Sequence, residues 1–385
     1  MKKVRMGMIG GGHGAFIGEI HRAASALDGQ IELVCGAFSS NAERSRLSGL
    51  DLGLSENRIY ATYQDMCVQE ALLPEDERME FVCIVTPNHL HFPAAKTVLE
   101  SGFHVMLDKP ATLNLPEALE LKKVVEASGK LLGLTHTYLG YPMVKQARHM
   151  VQSGTLGKIR KVLVEYPQGW LSQPDGIEGN KQAEWRTDPK RSGPSGCMGD
   201  IGTHAHNMAE YVSGQIMTHV CAYMGALEGR VLDDDGAALF KMDGGATGVL
   251  TASQICTGEE NAMNIRVYGE KGGLEWHQQE PNSLQIKMHN EPVQIMRAGG
   301  NVPYLCAAAI AACRTPAGHP EGFIEAFANL YKNFADMIRR YPDALTAEDV
   351  VNVPGIDEGI RGMAFVEAMV ESGRSETKWY PIFLA

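Results

Sequence analysis

The chain has 385 residues, 44% of them hydrophobic, and 35 Lys and Arg against 46 Asp and Glu give a formal charge of −11. At roughly 150 residues per domain this is two or three units, each able to bury its own core, and the apolar content excludes a disordered chain. The acidic balance argues against nucleic acid or an anionic membrane as partner, because both recruit basic surface.

From residue 1 to about 140, short apolar runs alternate with amphipathic stretches: VRMGMI, 18–27, IELVCGAF, 41–48, EFVCIV, about 89–101, FHVML, 116–128 and KLLGL. Runs apolar on both faces read as strands covered by helices on both sides. Their alternation predicts an α/β fold, a Rossmann-type doubly wound parallel sheet over 1–140 that binds a dinucleotide. After Pro142 a helix at about 143–153 stops at SGTLGK, and longer alternating segments follow, from KIRKVLVEY to NIRVYGE, separated by turns such as DGG and EKGG. These predict an α+β domain over 141–385 with a large, mostly antiparallel, open-faced sheet. Helices are expected at 199–213, 322–340 and about 355–372, the last a candidate to pack back on the first domain. An open sheet face exposes apolar surface that a second copy can cover, so a homodimer or homotetramer through this sheet is expected.

Eight cysteines at 35, 67, 83, 197, 221, 256, 306 and 313 form no CxxC pair, and most sit in apolar runs, which reads as reduced core thiols. Glycines break the apolar stretch of MKKVRMGMIGGG, so it reads as a strand instead of a leader. The longest apolar run, 305–313, has less than half of the roughly 20 residues a membrane span needs. The expected compartment is the cytoplasm, and no metal site is expected.

The first chemical signal is GMIGGGHGAFIG at 7–18, between the first strand and its helix. Glycines at such a turn let backbone approach a pyrophosphate, whose charge the helix N-terminus stabilises. Gly10 and Gly12 match the first two positions of GxGxxG; the third is Ala15, and Gly18 fills it only if the loop carries three extra residues. His13, Ala15, Phe16 and Ile17 complete the candidate cofactor loop. The second strand ends in AFSSNAER, with no acid for both ribose hydroxyls; Ser39, Ser40 and Arg44 are suited to a 2′-phosphate, a lean toward NADP, or else they cap the next helix.

TPNHLH follows the fourth strand, where Thr86, Pro87 and Asn88 are placed to floor a cofactor; His89 and His91 have the ordinary alternative of surface or satisfied core histidines. In LDKPAT, Asp108 and Lys109 follow the fifth strand at the carboxyl edge where such sheets bind ligands. A lysine there meets the nicotinamide face, and desolvation lowers its pKa toward that of a proton relay. Pro110 is a candidate for a cis bond. In EWRTDPKRSGPSGCMGDIGTHAHNM, Asp200 and His204 are four apart and project from one helix face. Imidazole can take a hydroxyl proton while a carboxylate fixes substrate or imidazole, a pairing suited to alcohol oxidation.

The order GGG turn, TPNxxH, DKP in place of the commoner EKP, and WR…GDxxxH resembles the Gfo/Idh/MocA oxidoreductase family over most of the chain. The resemblance implies NAD or NADP on the first domain and substrate contacts plus an oligomer surface on the second. It puts the family's lysine, aspartate and histidine at Lys109, Asp200 and His204, and His91 and Asp108 among the cofactor contacts. The HPEG…EAFANLY segment is similar to a subgroup acting on sugars and cyclitols, with His319 a candidate substrate contact at the entry to a helix. The reading that follows is an NAD(P)-dependent dehydrogenase acting on a secondary hydroxyl of a sugar, glycoside or inositol. His204 is the acid/base, Lys109 the relay and Asp200 the group that holds a hydroxyl. Tyr138, Trp170 and Trp185 offer faces for a sugar ring, and Arg186 a contact to substrate or cofactor phosphate. The rivals are a metal-dependent lyase or epimerase, for which His204 and His206 point to different helix faces, and a non-catalytic NADP(H) sensor.

Overall fold

Five runs that are apolar on both faces form the first sheet: β1 (Val4–Gly10), β2 (Ile31–Ala37), β3 (Phe81–Val85), β4 (His104–Leu107) and β5 (Leu132–Leu134). The computed structural model describes residues 2–173 and 179–383. All neighbours pair in parallel, in the order β2-β1-β3-β4-β5. Every residue of β3 is buried, as expected for a central strand with helices on both faces. Beyond β2, Ile59 makes a single parallel bridge to Gly36, where a six-stranded Rossmann sheet would have its third strand. The side on which successive strands are added reverses between β1 and β3, and such a switch point opens a crevice at the strands' carboxyl ends. The turns that follow β1 and β3 both sit there.

This unit runs through His136 and also takes in Phe327–Ile360. The return has a physical reason in the helix Phe323–Arg340, whose Phe327, Tyr331 and Phe334 recur at helical spacing and are all buried. Phe334 meets Phe81 of β3 edge to face at 5.5 Å, and Phe327 meets His21 at 4.6 Å. Strand and helix alternation does not announce this return.

The second unit comprises Thr137–Ala326 and Arg361 onward. Its strands are β6 (Ile159–Pro167), β7 (Met217–Gly225), β8 (Asp235–Met242), β9 (Thr247–Ser253), β10 (Asn264–Gly269), β11 (Gly272–His277), β12 (Ser283–Met288), β13 (Gln294–Arg297) and β14 (Tyr380–Pro381). They form one sheet in the order β13-β12-β11-β10-β6-β9-β8-β7-β14. Every pairing is antiparallel except β6 with β9. Alternation decides the faces: in β6, Val162, Val164 and Tyr166 are buried while Leu163 and Glu165 between them are half-buried. Helices Pro142–Gln152 and Thr203–Ser213 pack on the sheet. On the other face, cross-strand pairing lines up Cys221, Leu239, Val249 and Leu163 in one apolar row, with Leu239 47% exposed. All eight cysteines are free thiols, four of them buried. Among the described residues no helix is long and apolar enough to cross a membrane.

His104 is buried in the first unit, and its Nδ1 accepts the Leu131 N–H at 2.9 Å. Burial, then the charge of Lys130, pushes its pKa down to about 4; burial does the same to His21. Since the folded value lies below the ~6.5 of an unfolded histidine, the unfolded chain takes the proton first. The resulting destabilisation is absent above pH 6.5 and grows as pH falls to 4, reaching about 3 kcal/mol per histidine. The substitution His104→Gln keeps an acceptor for Leu131 but cannot titrate. Denaturant unfolding at pH 7.5 and pH 4 should therefore show the variant losing about 3 kcal/mol less than the wild type over that interval.

Candidate active site

The turn after β1 is built by glycines with distinct tasks. Gly10 and Gly11 turn the chain at φ of 81° and 73°. A Cβ on Gly18, in the first turn of helix Phe16–Ala26, would fall 2.4 Å from the Gly11 Cα. Gly18 thus supplies the close helix-to-turn packing that the third glycine gives in a dinucleotide fingerprint, and the three extra residues are taken up between Gly12 and Gly18 without disturbing it. A Cβ on Gly12 would strike the Phe38 carbonyl and the Ser48 hydroxyl, each at 2.8 Å. The N-cap, Ala15, makes no side-chain capping bond, so the first-turn N–H groups of this 11-residue helix meet no capping oxygen. A backbone cradle without Cβ atoms, facing an uncapped helix start, fits a pyrophosphate. His13 turns away toward helix Ala42–Asp51: its N–H donates to Ser48 Oγ at 3.1 Å, and its Nε2 lies 2.7 Å from Asp51. Phe16 is two-thirds exposed, and Ile17 follows it in the same first turn.

At the end of β2 the helix cap is Asn41, whose side chain accepts the Arg44 N–H at 2.9 Å. Capping therefore does not fall to Ser39 or Ser40. Ser39 Oγ accepts the Asn41 N–H, and Ser40 and the Arg44 side chain are exposed.

Two turns follow β3 and β4. The sequence Thr86, Pro87, Asn88 leads through a short 3₁₀ turn into helix His91–Glu100. His91 is buried, its Nδ1 2.7 Å from the Pro110 carbonyl and its Nε2 2.9 Å from the Thr86 carbonyl. It is a strut between the turns, and both ring nitrogens are occupied by backbone, which corrects its assignment as a cofactor contact. The bond Lys109–Pro110 is cis. Asp108 Oδ1 accepts the Lys109 N–H and the Thr135 hydroxyl, each at 2.8 Å, and its Oδ2 lies 3.9 Å from His21 Nε2. Burial works against its charge, but His21, Lys109, His91 and the Thr135 bond outweigh it and hold the carboxyl below its ordinary range. Beneath it, His21 Nδ1 meets the Tyr331 hydroxyl at 2.6 Å, which also lies 2.9 Å from Cys83 Sγ.

In the second unit, Asp200 sits in a π-helical turn, Met198–Gly202, that opens into helix Thr203–Ser213 bearing His204. The single α-helix expected over 199–213 is thus widened at its entry, where Gly199 and Gly202 lie. Asp200 Oδ2 accepts Arg186 Nε at 3.1 Å and Gln254 Nε2 at 2.9 Å. The Arg186 guanidinium lies 4.2 Å from the Trp185 ring centre and 6.0 Å from that of Trp170. The buried Tyr138 ring meets His204 edge to face at 4.9 Å. Its hydroxyl bonds that of Tyr166, and both reach Asn261, at 3.1 and 2.7 Å. Gln168 donates to Asn261 and accepts from Trp170 Nε1. His319 is exposed, in the loop that leads into the helix Phe323–Arg340, where Glu321 accepts the Arg314 and Thr315 N–H groups. Among the described residues no group of three or more His, Cys, Asp or Glu is placed to hold a metal ion.

Sequence reasoning passed over Tyr166, Gln168, Gln254 and Asn261. A signal existed for two of them. Gln168 and Gln254 each follow a strand, and β6 and β9 are the parallel pair, so both amides leave the sheet at the same end.

Residues 4–136 match the model of an oxidoreductase family with an NAD-binding Rossmann fold, and residues 144–275 match the Gfo/Idh/MocA C-terminal domain. The chain belongs to the Gfo/Idh/MocA oxidoreductase family. A Bacillus subtilis family member, the uncharacterized oxidoreductase YfiI, is 34% identical over 98% of this chain and 96% of its own. An inositol dehydrogenase homolog from Azotobacter vinelandii, solved with NAD+, is 34% identical, covers 99% and 97% of the two chains, and superimposes with a TM-score of 0.91. The structure described with NADH and myo-inositol from the same organism is 32% identical, covers 99% and 98%, and has a TM-score of 0.89. This Gfo/Idh/MocA chain is therefore an oxidoreductase whose first unit is the family's NAD-binding fold. Substituting Gly18→Ala should push the helix off the Gly10–Gly12 turn; titration of cofactor fluorescence should then show NADH affinity at least tenfold weaker than wild type.

Proposed function

We propose that this oxidoreductase interconverts a secondary hydroxyl and a ketone on a sugar, glycoside or inositol, with Lys109, Asp200 and His204 acting in one reaction. The observation that carries the reading is the Asp200 carboxylate, held by Arg186 and Gln254 one helical turn before a buried imidazole. The Azotobacter vinelandii structure described with NADH and myo-inositol supports the cyclitol side of it. When bound, the nicotinamide exchanges hydride with the substrate carbon.

In oxidation, His204 takes the hydroxyl proton, Lys109 hydrogen-bonds the same oxygen and relays charge, and Asp200 accepts a neighbouring hydroxyl and so fixes which carbon faces the hydride acceptor. A secondary alcohol would thereby give up its hydroxyl proton to the protein, with a bound nicotinamide supplying the hydride acceptor. Reduction runs these steps backward. Tyr138 backs the imidazole with its ring edge, while Trp170 and Trp185 hold Arg186 over Asp200 and flank the sugar. His319 belongs to the proposal as an outer contact. On the cofactor side the proposal takes in the 10–18 loop, Thr86, Pro87, Asn88 and Asp108.

NADP+ is proposed to serve alongside NAD+, because Ser39, Ser40 and Arg44 follow β2 and no acid stands among the first five residues after it. The apolar row on the open sheet face supports a homodimer or homotetramer, and eight free thiols support a reducing, cytoplasmic setting.

Absorbance at 340 nm, scanned with both nucleotides against sugars, glycosides and inositols, should reveal turnover. The substitutions Lys109→Ala and His204→Ala should each cut kcat by at least a hundredfold, and a wild-type rate in either variant removes that residue from the mechanism. Replacing Arg44 with Ala should lower the NADP+ to NAD+ ratio of kcat/KM by about tenfold, the worth of one charge-assisted bond.

A further inference from the structure

The run VLDDDG, residues 231–236, has no part in the chemistry assigned so far, yet its three carboxylates stand at the start of β8. Asp233 is spent entirely on the turn that bears Asp200. Its Oδ1 accepts the Gly196 N–H and its Oδ2 the Met198 N–H, each at 2.8 Å, while its own carbonyl accepts the Cys197 N–H at 2.8 Å. Three successive amides at the entry to the π-helical turn are thus satisfied by one residue. A Cβ on Gly196 would lie 2.5 Å from the Asp233 carbonyl, so only glycine permits this approach. The next residue, Asp234, is buried, ion-paired with Arg230, and its carbonyl accepts the Gln254 N–H at 2.8 Å. Gln254 is 2% exposed and sends its Nε2 to Asp200 Oδ2.

We infer that Gln254 is a positioning residue for the Asp200–His204 pair, held in turn by the Asp233–Asp234 strand end. Two paths leave adjacent residues just before β8 and meet at Asp200, one through its backbone and one through its carboxylate. Arg186 reaches the same oxygen from helix Lys181–Arg186, but its guanidinium lies on a half-buried, six-residue helix. The amide bond comes from the sheet and holds the carboxylate to the core. The inference rests on the proposed catalytic role of Asp200 and His204.

Among the described residues, the charged and titratable groups around Asp200 include Arg186, His204 on its own helix, Asp233, Asp234 and Asp235 at the start of β8, Cys197, and the Tyr138 and Tyr166 phenols. An added negative charge at residue 254 would oppose ionisation of Asp200 and favour the charged imidazole.

The substitution Gln254→Met keeps the length and bulk and removes the donor. With the substrate found in the 340 nm scan, kcat should fall between tenfold and a hundredfold. The affinity for NADH should stay within the wild-type range, and the melting temperature should fall by no more than a few degrees. In Gln254→Glu the acid limb of kcat should move to higher pH, and the His204 ring, followed by NMR without substrate, should titrate at least half a unit higher. Wild-type kcat in a folded Gln254→Met, or an unmoved His204 titration in Gln254→Glu, overturns the inference. If the wild type turns over but Lys109→Ala and His204→Ala are unimpaired, the catalytic reading falls instead. Should the scan find no substrate, or should Gln254→Met fail to fold, the His204 titration decides alone.

Discussion

A polar side chain taken out of water must find its partners inside the protein, and this requirement arranges most of what surrounds the candidate site. His91, Asp108, Gln254 and Asp233 are all largely buried and all bonded to backbone or to neighbouring side chains. Each bond ties one loop to another: His91 joins the turns after β3 and β4, Thr135 at the end of β5 meets Asp108 at the end of β4, and Asp233 meets the Gly196–Met198 turn. Loops that carry chemistry are ordinarily the soft parts of a fold. Here the cost of leaving a buried donor or acceptor unpaired, about 1–3 kcal/mol each, makes them as fixed as the strands they leave.

Much of the architecture was legible because it depends on periodicity. Continuous apolar runs and alternating ones differ in where water is excluded, and that difference separates the parallel sheet from the open-faced one. Local geometry was also legible where it depends on neighbours in sequence, as with the glycines after β1 or the one-turn spacing of Asp200 and His204. Tertiary partners were not. Nothing in a stretch such as TASQICTG tells that Gln254 reaches a carboxylate 54 residues earlier, since the approach exists only once β9 packs beside the Met198–Gly202 turn. The aromatic stripe of the Phe323–Arg340 helix was readable as amphipathic, but which sheet it covers depends on long-range packing.

Two departures from the family pattern have physical compensations in this chain. The glycine turn is three residues longer than the fingerprint, yet loop entropy grows only with the logarithm of length, so the insertion costs little if the ends stay where they are. The contact between Gly11 and Gly18 keeps them there, and His13 pins the bulge to helix Ala42–Asp51 through Ser48 and Asp51.

The second departure is Asp108 in place of a glutamate. A carboxylate one methylene shorter sits closer to the backbone of Lys109 and accepts that residue's own N–H, a bond that fixes the direction in which the lysine leaves the strand. Its other oxygen lies 3.9 Å from Nε2 of His21, which burial keeps neutral at physiological pH. A neutral imidazole leaves the carboxylate's charge uncancelled from below, so the nearest full positive charge on the same segment is the Lys109 ammonium. The shorter acid therefore trades reach toward the core for control of the lysine beside it, and the His21, Cys83 and Tyr331 cluster beneath serves as its rigid floor.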